Sequence, residues 1–172
     1  MKVISFGELT AEEKKEIYKA VVRFYKEHGI MSKLMEKGLT ISWFERCRDN
    51  ATVHHKFVEI VWTPVRQHYL DVGELRDIET RIKASIELIK FAEQLYHSDN
   101  EKIRWIGHYS ILNEFDFVFT QVDDFYKDLE SCTTILKEEF RELWISHKDV
   151  TTTGNGWFHT ITDKYKDFFP DR

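Results

Sequence analysis

The residues best suited to chemistry are concentrated between positions 46 and 57, which read RCRDNATVHHKF. If this stretch is helical, Arg48 and His55 lie two turns apart on one face, and Glu59 lies one turn beyond His55. A histidine can accept a proton near neutral pH, and the planar guanidinium of an arginine can stabilise negative charge on a phosphate. Metal-independent cleavage of RNA needs such a base for the 2′-hydroxyl proton and such a fixed cation.

Arg48 and His54 also fit a known motif. Arg48-Asp49, followed a few positions later by His54, resembles the signature of the HEPN ribonucleases, which are all-helical defence and toxin proteins. The resemblance covers residues 48–54 and implies that Arg48 and His54 are catalytic and that the active form is a dimer. The alternative interpretation is a solvated helix face on which Arg48 and Glu59 form ordinary ion pairs.

Two histidines raise the question of a metal or haem site. The spacing of His55 and Glu59 resembles that of hemerythrin-like di-iron bundles, which need further His and carboxylate ligands from neighbouring helices. No His-x-x-x-His or Glu-x-x-His pair in the chain supplies them. His108 in IRWIGHYSI has the apolar surroundings of a haem ligand, but equally those of a hydrogen-bonded core histidine. We therefore predict no cofactor and no metal.

Capping boxes, in which a Ser or Thr precedes a Glu by three residues, mark the helix starts. They occur at Thr10 and Glu13, at Ser42 and Glu45, and at Ser98 and Glu101. After Thr10, apolar residues recur at helical spacing until Gly29 supplies a stop. Similar periodicity predicts a helix over residues 98–129 and a helix over residues 74–97 whose buried face consists of Leu75, Ile78, Ile82, Ile86, Ile89 and Tyr96. A further helix around residues 136–144 has as its inner, apolar positions Leu136, Phe140, Leu143 and Trp144.

Two stretches leave the helical pattern ambiguous. Pro64 lies inside an apolar run, where it predicts either a kink or a new helix with Thr63 as its cap. Phe115, Phe117 and Phe119 alternate with other residues, which is a strand pattern. No turn residue bounds that segment, so we favour a helix.

The C-terminal part of the chain contains the clearest loop, DVTTTGNG, and we assign residues 148–156 to it. The residues that follow the loop predict an amphipathic helix with one apolar stripe, formed by Trp157, Ile161, Tyr165 and Phe168. This stripe either packs back on the protein or docks another protein or a second copy of the chain, because exposed aromatic patches mark interfaces.

The composition fits a single all-helical domain. The chain has 172 residues, 42% of them hydrophobic and 15% aromatic, so it can bury a core, and two prolines and seven glycines are few for a protein of short strands and turns. We predict a compact all-α bundle of about six or seven helices over residues 1–172. Two cysteines without metal-site spacing indicate thiols in a reducing compartment, and the lack of a long apolar run indicates a cytoplasmic protein.

The charge of the chain narrows its function. A formal net charge of −5 without a basic stretch argues against nucleic acid as the main partner. No complete catalytic motif occurs apart from the HEPN-like pair, so we expect a non-catalytic regulatory protein of the immunity, inhibitor or adaptor type. Its acidic, aromatic-rich surface suits another protein, in particular a basic one. A homodimer, and RNA under the ribonuclease alternative, are the other partners considered, and we expect no membrane contact.

Overall fold

The computed structural model describes residues 4–36, 38, 53–73, 75, 77–119, 132 and 134–151. The regular elements in these ranges are helices, with no strand among them, which confirms the predicted all-α fold. They are a 3₁₀ turn (Phe6–Glu8), α1 (Ala11–Glu27), α2 (Met31–Glu36), α3 (Val53–Phe57), a π-helical turn (Val58–Trp62), α4 (Thr63–Val72), α5 (Asp77–Tyr96), α6 (Glu101–Phe119), α7 (Thr134–Ser146) and α8 (Lys148–Thr151). No helix within these ranges has both the length and the apolar character that crossing a lipid bilayer requires.

Helix α1 begins and ends where its sequence predicts. The Thr10 hydroxyl accepts a hydrogen bond from the backbone N–H of Glu13 at 3.2 Å, and the Glu13 carboxylate accepts one from the N–H of Thr10 at 2.9 Å. These bonds satisfy two N–H groups that a helix start leaves without helical partners. The helix ends before Gly29, whose φ of 66° favours a residue without a Cβ.

The chain stays helical from α3 to α4 in spite of Pro64, which lies in the first turn of α4. Pro64 has no N–H to donate to the carbonyl of Ile60, and the Tyr25 hydroxyl donates to that carbonyl at 2.8 Å instead. Thr63 is not the cap that the sequence suggested, because its hydroxyl donates to the carbonyl of Val58 at 2.9 Å. The π-helical turn and the Tyr25 hydroxyl together accommodate the proline.

Helices α5 and α6 form a hairpin at the centre of the described structure. The two backbones approach closely at Gly107, where a Cβ would lie 2.3 Å from the backbone nitrogen of Tyr96. No side chain fits in that space. Gly107 therefore sets how closely α6 packs on α5.

The start of α6 differs in detail from its prediction. The cap is Asn100, whose side-chain oxygen accepts a hydrogen bond from the N–H of Ile103 at 3.0 Å. The predicted capping box of Ser98 and Glu101 is therefore wrong. The Ser98 hydroxyl donates instead to the carboxylate of Glu16 in α1 at 2.6 Å, so the residue ties the hairpin loop to the first helix.

Two hydrophobic cores pack against different faces of α5. The first core lies between α1, the α3–α4 segment and the hairpin, and it takes from α5 Leu88, Phe91 and Leu95. The second core lies between the hairpin and α7, and it takes from α5 Ile82, Ile86 and Ile89. The apolar pattern of the sequence indicated only the second set. Helix α5 is thus buried on two faces and belongs to both cores.

Helix α7 buries the four residues that its sequence pattern predicts as its inner face, Leu136, Phe140, Leu143 and Trp144. Phe115 of α6 packs against two of them, with ring centroids 6.0 Å from Phe140 and 5.5 Å from Trp144. Phe115 is a core residue of a helix, so helix was the correct choice for the segment with alternating phenylalanines. The predicted loop does not begin at residue 148, because Lys148–Thr151 form α8, and residues 152–156 lie outside the described ranges.

Candidate functional site

The residues that the sequence assigned to sites lie largely outside the described structure. Arg48 and the C-terminal stripe are outside the described ranges, the stripe being Trp157, Ile161, Tyr165 and Phe168. His54 belongs to α3, but its side chain is not among those described. The HEPN-like pair and the C-terminal docking stripe therefore stay predictions.

The two histidines considered as metal or haem ligands are described. His55 is exposed on α3, and Glu59, one turn later, lies 3.8 Å from the ammonium group of Lys56. His108 is half-buried on α6 beside two aromatic rings, those of Trp105 and Tyr96. Within the ranges that the structure covers, no three His, Cys, Asp or Glu side chains are grouped so that they could hold a metal ion.

The outer face of α7 carries apolar and acidic side chains in one row. Ile135, Glu138, Glu142 and Ile145 are spaced by three or four residues, which places them on one face of the helix. Ile135 is 73% exposed and Ile145 is 41% exposed, although isoleucine is among the residues most often buried. Glu138 and Glu142 are exposed between them. We call these four residues the α7 row.

Several contacts hold α7 in a fixed position behind this row. Its inner face is packed in the second core, and the carboxylate of Glu139 accepts a hydrogen bond from Lys83 of α5 at 3.3 Å. Just after the helix, Nε2 of the buried His147 lies 2.6 Å from the carboxylate of Glu93. Because α7 is anchored to α5 in its middle and at its end, the α7 row is presented on a rigid element.

A buried ion cluster on α5 connects α7 to α1. The carboxylate of Glu87 lies 3.1 Å from Nε2 of His28 and 2.8 Å from the ammonium group of Lys83, which also reaches Glu139. The other ring nitrogen of His28, Nδ1, is 2.9 Å from the carbonyl of Phe24. Both nitrogens of His28 face acceptors, so this geometry favours the imidazolium, in which each nitrogen carries a proton.

Burial opposes the charges in this cluster, but the pairing outweighs it. Burial by itself would raise the pKa of Glu87, yet the hydrogen bonds from His28 and Lys83 lower that pKa to about 2. Burial by itself would lower the pKa of His28, yet the Glu87 carboxylate and the Phe24 carbonyl raise it above its usual value. The cluster is therefore a set of ion pairs that links α1, α5 and α7, and its role is structural.

Glu114 of α6 is a second buried carboxyl group, and its pKa is shifted in the opposite direction to that of Glu87. It is 2% exposed, and within the described ranges neither its Oε1 nor the hydroxyl of Ser110 has a hydrogen-bond partner. Burial raises the pKa of Glu114 to about 7, and a hydrogen bond from Ser85 offsets only part of that rise. Nothing in the sequence distinguishes Glu114 from an exposed residue, because a glutamate in a helical stretch normally faces solvent.

A small pocket lies where the end of α5 meets the start of α6. Its volume is about 300 Å³, and the residues that line it are Tyr96, Glu101, Arg104, Trp105 and His108. The four lining residues from α6 are spaced by three, one and three positions, so they share one face of that helix. Of these lining residues, only His108 was identified from the sequence as a candidate ligand-binding residue. Tyr96 lies on the other helix, and its place in the pocket depends on how the hairpin packs.

A larger groove, of about 600 Å³, runs along α1 and is lined mainly by long charged side chains. Two of its carboxylates are already engaged, since Glu13 pairs with Lys102 at 3.1 Å and Glu16 accepts from Ser98 at 2.6 Å. The groove thus offers charges that already have partners within the protein, whereas the smaller pocket offers aromatic rings. We regard the smaller pocket as the better ligand site.

No protein-family model, curated protein or solved structure gives a significant match to this chain. Its function must therefore be inferred from the geometry of its own side chains. Two features stand out on the described surface, the α7 row and the ring-lined pocket between α5 and α6.

Proposed function

We propose that this chain is a cytoplasmic, non-catalytic regulatory protein that binds another protein through the α7 row. The observation that carries this proposal is the exposure of Ile135 and Ile145, 73% and 41%, on a helix whose opposite face is packed in a core. Apolar side chains exposed on a rigid surface element, with charged side chains between them, can form part of a protein–protein contact. The immunity, inhibitor and adaptor proteins expected from the composition act through such contacts.

The partner that suits the α7 row is a basic amphipathic helix. Ile135 and Ile145 are separated by ten residues of helix, which corresponds to about 15 Å along its axis. A complementary surface has two apolar groups at that separation and Lys or Arg side chains between them to meet Glu138 and Glu142. The net charge of −5 adds a long-range attraction toward a basic protein.

A pair of synthetic peptides tests this proposal. One is a helical peptide with two leucines ten residues apart and three lysines between them, and the other has the same composition in scrambled order. We expect the first to bind at least about tenfold more tightly in a fluorescence-anisotropy titration, because only its groups are in register with the α7 row. Its affinity should fall with added salt, since part of the attraction is between exposed charges.

Matched substitutions place the binding on α7. The double change Ile135→Ser and Ile145→Ser should weaken binding of the ordered peptide by about tenfold or more, because the buried apolar contacts are lost. The control is Leu70→Ser with Val72→Ser on α4, whose side chains are 41% and 47% exposed and belong to a different helix. Equal losses in the two double variants, or equal binding of the two peptides, would overturn the proposal.

Two further results would replace this proposal, one with a different function and the other with a different binding partner at the α7 row. If the chain degrades RNA in the presence of EDTA and His54→Ala abolishes that activity, the ribonuclease hypothesis for Arg48 and His54 replaces this proposal. If the chain forms a dimer in light scattering that Ile135→Ser with Ile145→Ser dissociates, a second copy of the chain, and not a basic partner, occupies the α7 row.

A further inference from the structure

We infer that the pocket between α5 and α6 binds a small organic cation, an alkylated ammonium group, against the rings of Tyr96, Trp105 and His108. The site is separate from the α7 row, and no step of the proposed function depends on it. The inference stands on ring geometry, on the charges around the rings and on the size of the pocket.

Three aromatic rings line the pocket, those of Tyr96, Trp105 and His108. Trp105 and His108 meet edge to face, with centroids 5.2 Å apart and planes at 68°. The Tyr96 ring lies 5.9 Å from that of His108, at an angle of 46°. Trp105 is 45% exposed, so its indole is open to a ligand. The face of an aromatic ring is negative and attracts a cation within about 6 Å of the centroid, most strongly for tryptophan.

The ionised groups near the rings favour a cation over an anion. Glu101 lines the pocket, and Asp149 of α8 accepts a hydrogen bond from the Tyr96 hydroxyl at 2.8 Å. That bond shifts electron density from the O–H toward the phenol ring, which makes the ring face more negative. Arg104 is the guanidinium among the lining residues, and it donates to the backbone carbonyl of Ser98 at 3.1 Å. This hydrogen bond holds the guanidinium group toward the hairpin loop.

His108 does not oppose a bound cation. Burial lowers the pKa of His108, and the charge of Asp149 offsets only part of that effect. The ring is therefore uncharged at neutral pH and presents a π face. An imidazolium in its place would repel an ammonium group.

The helix ends at the pocket largely cancel each other. Tyr96 is the last residue of α5, whose C-terminus carries partial negative charge, and Glu101 is the first residue of α6, whose N-terminus carries partial positive charge. Glu101 and the cap at Asn100 further reduce the positive end of α6. The side chains therefore determine the sign of the ligand.

The volume of about 300 Å³ suits a small head group such as trimethylammonium. Two sources present that group, a free small molecule and a trimethylated lysine side chain of another protein. Their shared chemistry is a bulky cation with no N–H to donate, which rings hold better than a carboxylate alone does.

The test compares choline with 3,3-dimethylbutan-1-ol, a neutral molecule of the same shape, by NMR titration of the whole chain. We expect choline to bind about tenfold more tightly, because only choline gains the attraction between a cation and the ring faces. Benzoate, an aromatic anion, should bind more weakly than choline. Equal affinity for choline and the alcohol, or a preference for benzoate, would overturn the inference.

A second pair of probes identifies the source of the cation. A short peptide with one trimethyllysine is compared with the same peptide carrying unmodified lysine. Tighter binding of the methylated peptide than of choline would assign the site to a protein side chain, and the reverse order would assign it to a free small molecule. If neither choline nor the methylated peptide binds, the pocket is not a cation site.

Substitutions at Trp105 separate ring chemistry from apolar bulk. Trp105→Phe keeps a ring face and should retain choline binding within about threefold, whereas Trp105→Leu should weaken it about tenfold. Glu101→Gln should weaken binding about threefold by removing a nearby negative charge. Leu70→Ser on α4 is the control and should leave choline binding unchanged. Native-like affinity in Trp105→Leu would contradict the inference, whatever the fate of the α7 row.

Discussion

Glu87 and Glu114 are both buried in the α5–α6 hairpin, yet their surroundings shift their pKa values in opposite directions. Glu87 accepts hydrogen bonds from His28 and Lys83, and its pKa falls to about 2. Glu114 has a hydrogen bond from Ser85 but no cation in its described surroundings, and its pKa rises to about 7. Desolvation penalises a carboxylate in both places, so the presence of cationic partners decides the outcome.

The raised pKa of Glu114 makes the folded state less stable at high pH. The unfolded chain loses this proton near the ordinary value of 4.5, whereas the folded chain keeps it up to about pH 7. Stability therefore falls as pH rises from 4.5 to 7. Glu114→Gln removes this titration, so the variant should be more stable than the unchanged chain at pH 8 by about 1 to 3 kcal/mol. Urea unfolding at pH 4.5 and pH 8 measures the difference.

Glu142→Gln on the exposed face of α7 is the control for this measurement. It should change stability by less than about 0.5 kcal/mol at both pH values, because an exposed carboxylate keeps its hydration in both states. If Glu114→Gln gave the same difference at both pH values, Glu114 would not hold a proton in the folded state.

The ion cluster around Glu87 has the opposite pH dependence on its acid side. Because its pKa is lowered, ionised Glu87 contributes stability that is fully present above pH 4.5, and this contribution is lost as pH falls toward about 2. The raised pKa of His28 stabilises the fold below 6.5 and is lost as pH rises through the higher folded value. The full contribution of the pair therefore lies between pH 4.5 and 6.5.

Glu87→Gln should destabilise the chain most in that window. We expect a loss of about 2 to 4 kcal/mol at pH 5.5, because the substitution leaves His28 without a carboxylate partner and Lys83 with Glu139 alone. The loss should shrink toward pH 2. The surface pair of Glu138 and Arg141 supplies the control, and Glu138→Gln should cost less than about 0.5 kcal/mol. A constant loss from pH 2 to 8 in urea unfolding would contradict the assigned charges.

At the scale of single elements, the segment that connects α3 and α4 shows how a hydrogen-bond donor missing from one helix is supplied by another helix. We call this substitution of donors the repair. Pro64 cannot donate to the carbonyl of Ile60, and Tyr25 of α1 does so from 35 residues away in sequence. The sequence identified Pro64 as an irregularity, because the missing N–H is a local property, but the chain stays helical through it. The repair depends on the packing of α1, which no local pattern encodes.

A double-mutant cycle tests this repair. Tyr25→Phe should cost about 1 to 2 kcal/mol, because the Ile60 carbonyl loses a buried donor. In a Pro64→Ala background the same change should cost less, since the restored N–H of residue 64 can donate to that carbonyl. Urea unfolding of the four proteins gives the coupling. Equal costs in both backgrounds would show that the Tyr25 hydroxyl and Pro64 are independent.

The contact of α5 with α6 depends on the absence of a side chain at Gly107. Gly107→Ala places a Cβ 2.3 Å from the Tyr96 nitrogen, so the helices must separate. We expect a loss of about 3 kcal/mol in thermal or urea unfolding. The comparison is Gly73→Ala, where nothing lies within 4 Å but φ is 64°. Backbone strain there should cost only about 1 to 2 kcal/mol, and the reverse order would contradict the close approach.

At the scale of the whole molecule, the α5–α6 hairpin connects the two hydrophobic cores, because it contributes side chains to both. Phe91 belongs to the core shared with α1, and Phe140 to the core shared with α7. Because α5 contributes to both, loss of either core exposes part of the same helix. The described helices should therefore unfold together and not layer by layer.

Phe91→Ala and Phe140→Ala test this cooperativity. Each should lower the free energy of unfolding by about 3 to 5 kcal/mol, because each removes a fully buried ring. Circular dichroism and tryptophan fluorescence should still report one coincident transition in both variants. Two separated transitions in either variant would show that the cores are independent units.

The sequence by itself determined the helical class, the start of α1 at Thr10, the inner face of α7 and the irregularity at Pro64. Those properties depend on residues within a few positions of each other, where hydrophobic spacing and capping act. It also directed attention to Arg48, His54 and the C-terminal stripe, which stay predictions. Only the tertiary structure decided which charges are buried, that α5 has two buried faces, and that Trp105 meets Tyr96 across a pocket. Desolvation and contact depend on neighbours brought together by packing, and helix periodicity does not specify which helices become neighbours.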